Sequence, residues 1–271
     1  MEYLIGRLLD EEPQWCAARA AGELAMPSDP DERFRLYRSL VNVRPPRPVD
    51  SEYLQVEDAF LQGELRDKGV VALDEVAAAP PSFADPGILL WRGDITRLAV
   101  DGIVNAANSA LLGCFVPCHG CIDNAIHTAA GVRLRLACDE IMRAQGVPEP
   151  TGRAKITPAF NLPCRHVLHT VGPIVQGDVP TAQDRADLAS CYRACLDLAA
   201  EYGLASVAFC CISTGEFCFP KREAAAIAVE TVADWRRRAR RAGVAAPTVV
   251  FDVFGDENHA IYQGILEERN A

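Results

Sequence analysis

Three cysteines and a histidine fall within eight positions of the run Gly113-Cys114-Phe115-Val116-Pro117-Cys118-His119-Gly120-Cys121-Ile122-Asp123-Asn124. Thiolate and imidazole are preferred zinc ligands, and glycine-flanked Cys and His in a loop make poor core material. Cys118 and Cys121 have C-x-x-C spacing, yet no second pair follows to complete a four-ligand structural site. Three protein ligands with an open fourth place is the arrangement of a catalytic zinc, where the pKa of a bound water falls to ~7. Spacing alone leaves Cys114 and Cys118 competing for one place, and the C-x-x-C step favours Cys118. The competing reading makes the cysteines small buried hydrophobes and His119 a turn residue. Asp123 stands where a helical pattern begins. A carboxylate beside a metal there can orient a water or accept its proton, and equally it can serve only as an N-cap. His127, four residues on along the same face, reads as a packed, hydrogen-bonded histidine rather than a fourth ligand.

Two further stretches could do chemistry. Asn105-Ala106-Ala107-Asn108-Ser109 directly follows a buried-strand pattern, and small residues at a strand's carboxyl end let a ligand approach the backbone. Asn and Ser also simply make turns. In Ser213-Thr214-Gly215-Glu216-Phe217-Cys218-Phe219-Pro220-Lys221, successive amides before a helix opening near Arg222 can cradle a pyrophosphate, although a capped helix after an ordinary turn explains the pattern as well. The arginine-rich run Arg236 to Arg241 ends a predicted helix and reads as solvated surface. His166 and His169 lie an odd number of positions apart on one strand, face opposite sides and count as structural.

These residues need elements to hold them. Short apolar runs, Ile88–Trp91, Gly102–Val104, Arg165–His169, Ser206–Phe209 and Thr248–Phe254, alternate with helical patterns over Asp123–Gln145, Thr181–Tyr202 and Arg222–Ala242. That alternation predicts an α/β layered domain. The first seventy or so residues, from Tyr3 through Leu24 to Leu65, carry apolar positions at three- and four-residue steps and predict amphipathic helices, broken by the prolines of Arg44–Pro48. Ala77–Pro86 reads as a linker with the boundary near Ser82, giving a helical extension over 1–82 and the α/β domain over 83–271. The bulk numbers narrow the function. A net charge of −10 disfavours general nucleic-acid binding, and eleven cysteines, an odd number, point to reduced thiols. No run approaches the roughly 18 apolar residues of a spanning helix, and an acidic start unlike a signal peptide implies a cytoplasmic protein without a membrane partner.

Gly93-Asp94-Ile95-Thr96, then Asp101 to Asn108, then Ile126-His127 with Ala129-Ala130-Gly131, then His169-Thr170-Val171-Gly172-Pro173 together resemble the macrodomain family, from about residue 86 to the C-terminus. The resemblance implies a three-layer α/β fold, a mixed and mainly parallel sheet between helices, with an ADP-ribose cleft at the strand ends. Cys114–Cys121 replaces the family's usual glycine run and looks like the zinc-dependent subgroup of protein-ADP-ribose hydrolases, which often carry a helical N-terminal extension. Carried over by position, the resemblance implies Zn2+ on Cys114, His119 and Cys121, with Cys118 beside the site. Asp123 and Asn108 would be catalytic. Asp94 and Ile95 would meet adenine, Asn105 and Asn108 the distal ribose, and Ser213, Thr214, Gly215, Glu216 and Phe217 the diphosphate, while Phe254 would stack on adenine. The implied reaction removes ADP-ribose from a modified protein, with Asp or Glu esters favoured because a carboxylate leaves more easily than an amine. Two alternatives stand beside it: a non-catalytic ADP-ribose reader with a structural zinc, and a zinc knuckle on an unrelated α/β domain, closed by Cys114, Cys118, His119 and Cys121.

Overall fold

The computed structural model describes residues 1–22, 25–78, 83–177 and 179–269; Leu24 and the boundary at Ser82 lie outside the described residues. Four helices come first: α1 (Glu2–Asp10), α2 (Pro13–Ala20), α3 (Pro30–Val43) and α4 (Ser51–Lys68). Asp29 starts α3 by accepting the N–H groups of Asp31 and Glu32 at 2.9 Å, with Pro30 in the first turn, and Asp50 caps α4 through Tyr53 N–H at 2.8 Å. Leu4, Ile5, Leu8, Tyr37, Leu40, Tyr53 and Leu61 form their common core, and Val132 of the following domain joins it. The amphipathic spacing read in the sequence thus produces one packed cluster that continues into the rest of the molecule.

The remaining elements are β1 (Val71–Ala72), α5 (Leu73–Ala78), β2 (Ile88–Arg92), a 3-10 turn (Ile95–Arg97), β3 (Leu98–Ala99), β4 (Gly102–Ala107), α6 (Ile122–Ala130), α7 (Val132–Gln145), β5 (Ala154–Pro158), β6 (His166–Val171), α8 (Ala182–Glu201), β7 (Ser206–Phe209), α9 (Lys221–Arg241), β8 (Thr248–Val253) and α10 (Asp256–Glu268). Six strands form a sheet in the order β2-β8-β7-β4-β6-β5, all parallel neighbours except the antiparallel β5. Register assigns the faces. Val104, Phe209 and Phe251 are in line across three strands, and the rings of Phe209 and Phe251 meet Tyr192 of α8 and Tyr262 of α10. One position further on, the side chains alternate to the other face. There Asn105 of β4 reaches Asp123 of α6, and His169 of β6 reaches Cys138 of α7. The sheet is therefore sandwiched between α6 and α7 on one side and α8 to α10 on the other, which is the mixed, mainly parallel layered fold that the sequence implies. No described helix is long and apolar enough to cross a membrane, and the described cysteines are free thiols.

Three differences from the sequence reading have clear causes. The helix expected over Asp123–Gln145 is two helices that break at Gly131, whose φ of 86° suits glycine and whose added Cβ would lie 2.7 Å from Glu57 Oε2. That same carboxylate accepts the Val132 N–H at 3.1 Å, so α4 caps the first turn of α7. The edge strand β5 gave no expectation from the sequence. Arg236, expected on the surface, is 3% exposed and donates to both Asp85 oxygens at 3.0 and 3.1 Å.

Candidate active site

The carboxyl end of β4 delivers Asn105 and Asn108 beside the start of α6. Asn105 Nδ2 donates to Asp123 Oδ1 at 2.8 Å and lies 3.2 Å from His169 Nδ1, while Asn108 Nδ2 donates to Gly113 O at 3.0 Å and to Asp123 Oδ2 at 3.4 Å. Both carboxylate oxygens of Asp123 are thus gripped by amides from one strand end. Asp123 is 5% exposed, and burial pushes its carboxyl up to about 6 against the pull of Asn105 and Arg135. It is not the cap of α6, because Cys121 Sγ fills that role by accepting the Asn124 N–H at 3.4 Å. His127 packs behind Asp123 with Nε2 at 3.5 Å from Oδ1, an ion-pair distance without hydrogen-bond geometry, so its buried ring nitrogens have no hydrogen-bond partner. Burial, then His169 and Arg135, hold His127 well below its usual range. His127, Cys138 and His169 also bring donor atoms within 4.8 Å of one another. His169, however, is engaged by Asn105 on one nitrogen and lies 3.0 Å from Thr157 Oγ1 on the other, so this buried trio serves as a polar underlay for Asp123.

Between Asn108 and Asp123 the chain makes a loop with little regular structure, turning through left-handed Leu111, Gly113 and Cys118. Its fold brings Cys114, His119 and Cys121 together, one ligand atom from each lying within 4.8 Å of the others. Burial, with the neighbouring Cys114 adding, pushes the Cys121 thiol up to about 12. A divalent ion would reverse that by stabilising the thiolates. His119 Nδ1 is buried without a hydrogen-bond partner, whereas Nε2 lies 3.5 Å from Glu216 Oε1. An orphaned imidazole nitrogen beside two thiols suits zinc. Cys118 points elsewhere, its φ of 53° turning the thiol to donate to Arg35 O at 3.3 Å.

The loop is held by groups that the sequence reading did not single out. From α3, Arg38 reaches His119 O and Asn124 Oδ1, and Asn42 accepts the Cys118 N–H at 2.9 Å. From α7, the Arg135 guanidinium lies 4.3 Å over the Phe115 ring and donates to Leu112 O at 2.6 Å. It also donates to Val41 O and Asn42 O at 2.9 Å, tying loop and α3 together. The contacts that involve α3 span 76 to 94 positions of chain, which no local pattern could signal.

The second loop approaches from the end of β7. Ser213 is 5% exposed, with φ of 64° and an unpartnered Oγ, and it lies so near Gly172 that a Cβ there would come within 2.1 Å of it. The loop closes on itself through Cys218 N–H to Gly215 O at 3.0 Å and Phe219 N–H to Ser213 O at 2.9 Å. Among the described residues, the N–H groups of Gly215, Glu216 and Phe217 have no such internal partner and remain open to an anion. Thr214 Oγ1 donates back to Cys211 O at 3.0 Å. Asp94 caps the 3-10 turn through Thr96, leaving Ile95 1% exposed. Phe254, just beyond β8, is 83% exposed, and the buried carboxyl of Asp252 beside it is pushed well up by burial and by Asp94. Thus the metal-type cluster and Asp123 form one assembly, Glu216 links that assembly to the second loop, and Asp94, Ile95 and Phe254 sit at the ends of the neighbouring strands.

Residues 104–228 match the Macro domain family model. A protein of Treponema medium named protein-ADP-ribose hydrolase is 49% identical over 264 residues, covering 97% of each chain. A Staphylococcus aureus protein of the same name is 48% identical over 89% of this chain and 87% of its own. Among solved structures, the Oceanobacillus iheyensis macrodomain with ADP is 38% identical, with a TM-score of 0.59 over 67% of this chain and 90% of that one. The Trypanosoma brucei macrodomain in complex with ADP-ribose is 29% identical, with a TM-score of 0.61 over 84% and 94%.

Proposed function

The chain belongs to the macrodomain family, and on that premise we propose that it is a hydrolase that removes ADP-ribose from modified protein side chains with the help of a zinc ion. Relatives named for that hydrolysis, matched over nearly the whole length, support turnover over binding alone. The observation that carries the zinc assignment is the convergence of Cys114, His119 and Cys121 within 4.8 Å beside the amide-held carboxylate of Asp123. With Cys118 turned to Arg35, this loop favours an open three-ligand site over a closed knuckle.

Cys114, His119 and Cys121 would hold the ion, which supplies a Lewis-acidic point for a hydroxyl of the distal ribose. Asn108 would hold the ribose, and Asn105 keeps the Asp123 carboxylate in its orientation. Asp123 positions or deprotonates the attacking water. The open amides of Gly215 to Phe217, with Ser213 and Thr214, would cradle the diphosphate. Asp94 and Ile95 would meet the adenine, and Phe254 would stack on it. An Asp or Glu ester is the favoured linkage, because the departing carboxylate is the better leaving group. The free thiols suit a reducing cytoplasm, and the charge of −10 suits a protein partner better than nucleic acid.

The test is Cys121→Ala, with metal content and release of ADP-ribose from a glutamate-modified protein measured together. Metal should be lost along with turnover, whereas wild-type release by the metal-depleted variant refutes the zinc mechanism.

A further inference from the structure

The loop that carries Cys114, His119 and Cys121 has little secondary structure of its own, and the backbone bond from His119 N–H to Val116 O at 3.2 Å is the main internal tie of its turn. Nothing lies within 4 Å of a Cβ built on Gly120, so the turn is not held by packing there. Its restraint comes from α3. Arg38 Nη2 donates to His119 O at 2.7 Å, and Nη2 and Nε donate to Asn124 Oδ1 at 2.7 and 3.0 Å. Asn124 uses its other groups on the same loop, Nδ2 donating to Val116 O at 3.0 Å and its N–H to Cys121 Sγ at 3.4 Å. One turn along α3, Asn42 Oδ1 accepts the Cys118 N–H at 2.9 Å and Nδ2 donates to Thr128 Oγ1 at 3.1 Å. The guanidinium therefore grips the carbonyl of one candidate ligand and, through Asn124, both flanks of the turn between the other two.

We propose that Arg38, on a helix outside the matched family region, is a positioning residue for the metal-holding loop: its fork, relayed by Asn124, fixes the backbone from which His119 and Cys121 face Cys114. The inference rests on the zinc reading above. A planar fork can satisfy the His119 carbonyl and the Asn124 amide oxygen together, which a single ammonium on a flexible stem does poorly. Partners of this outer kind typically matter ~10–100-fold in metal affinity.

The test compares wild type, Arg38→Ala and Arg38→Lys as full chains in two measurements. The first is zinc affinity and release rate by competition with a chromogenic chelator. The second is amide hydrogen exchange over residues 116–124 in chelator-treated protein, and urea unfolding of that metal-free form accompanies both. Arg38→Ala should weaken zinc binding roughly 10–100-fold and speed exchange in the loop while leaving the metal-free unfolding midpoint near wild type, with Arg38→Lys in between. Should Arg38→Ala not fold, Arg38→Lys carries the comparison. Wild-type zinc retention together with wild-type exchange overturns the proposal. If wild type itself takes up no zinc, the zinc reading fails separately, and unaltered loop exchange in the variants then overturns the bracing.

Discussion

Glu57 is fully buried in α4, where Oε2 accepts the Val132 N–H at 3.1 Å and Oε1 accepts the hydroxyls of Tyr37 at 2.9 Å and Tyr53 at 3.4 Å. Burial raises its carboxyl from 4.5 to about 7, with Asp58 pushing the same way while the Val132 N–H, Tyr37 and Arg133 pull back. Because the folded value lies above the unfolded one, the folded protein binds the extra proton. The contribution is complete below about pH 4.5 and is lost as the pH rises through 7. A displacement from 4.5 to about 7, at about 1.36 kcal/mol per pH unit, makes the loss about 3 kcal/mol. Glu57→Gln places a neutral group of the same shape there and removes this titration. Urea unfolding of both proteins should be followed from pH 4.5 to 8 at constant salt and zinc. Asp123, His127 and Asp252 titrate in both and cancel in the difference. The wild type should lose about 3 kcal/mol relative to the variant across that interval, and at pH 8 Glu57→Gln should be the more stable protein. Parallel pH curves would refute the assignment of a protonated carboxyl to this junction.

Two further outcomes concern turnover and binding. Asp123→Asn, which keeps the size of the side chain but cannot accept a proton, should lower kcat about 10²–10⁴-fold while ADP-ribose still binds; steady-state kinetics with parallel calorimetry read both, and a rate within tenfold of wild type removes Asp123 from the chemistry. Phe254→Ala deletes a ring that is 83% exposed, so the melting temperature should stay put while ADP-ribose and ADP both bind about fivefold or more weakly, given a stack worth about 1–3 kcal/mol. Unchanged ADP affinity in calorimetry would place the adenine elsewhere.

The central strands were legible because each is a short apolar run buried on both faces, as in Ser206–Phe209. The strand Ala154–Pro158 was not, since its half-buried edge pattern holds little apolar signal and ends in proline. Likewise the break at Gly131 is invisible to periodicity, because its cause is a carboxylate that arrives from α4. Within the site, residue types announced a group of metal-type ligands, but spacing favoured Cys118, whose left-handed backbone turns its thiol toward Arg35 while Cys114 joins His119 and Cys121. A one-dimensional pattern contains no φ. The bracing by Arg38, Asn42 and Arg135 escaped for a different reason: each of their contacts to or from α3 joins segments 76 or more positions apart, where local sequence has nothing to report.

The seam between the first four helices and the sheet also bears on how this chain tolerates change. Composition suggests a cut near residue 82, yet Glu57 caps α7, Arg38 grips the cysteine loop, and Val132 completes the apolar cluster of the leading helices. Trimming the chain at that cut would open that cluster to water and release the turn that bears Cys114, His119 and Cys121 in one stroke. The opening segment behaves as a keystone, and a fusion, protease nick or substitution that strains it reaches the cysteine loop without touching any residue of that loop.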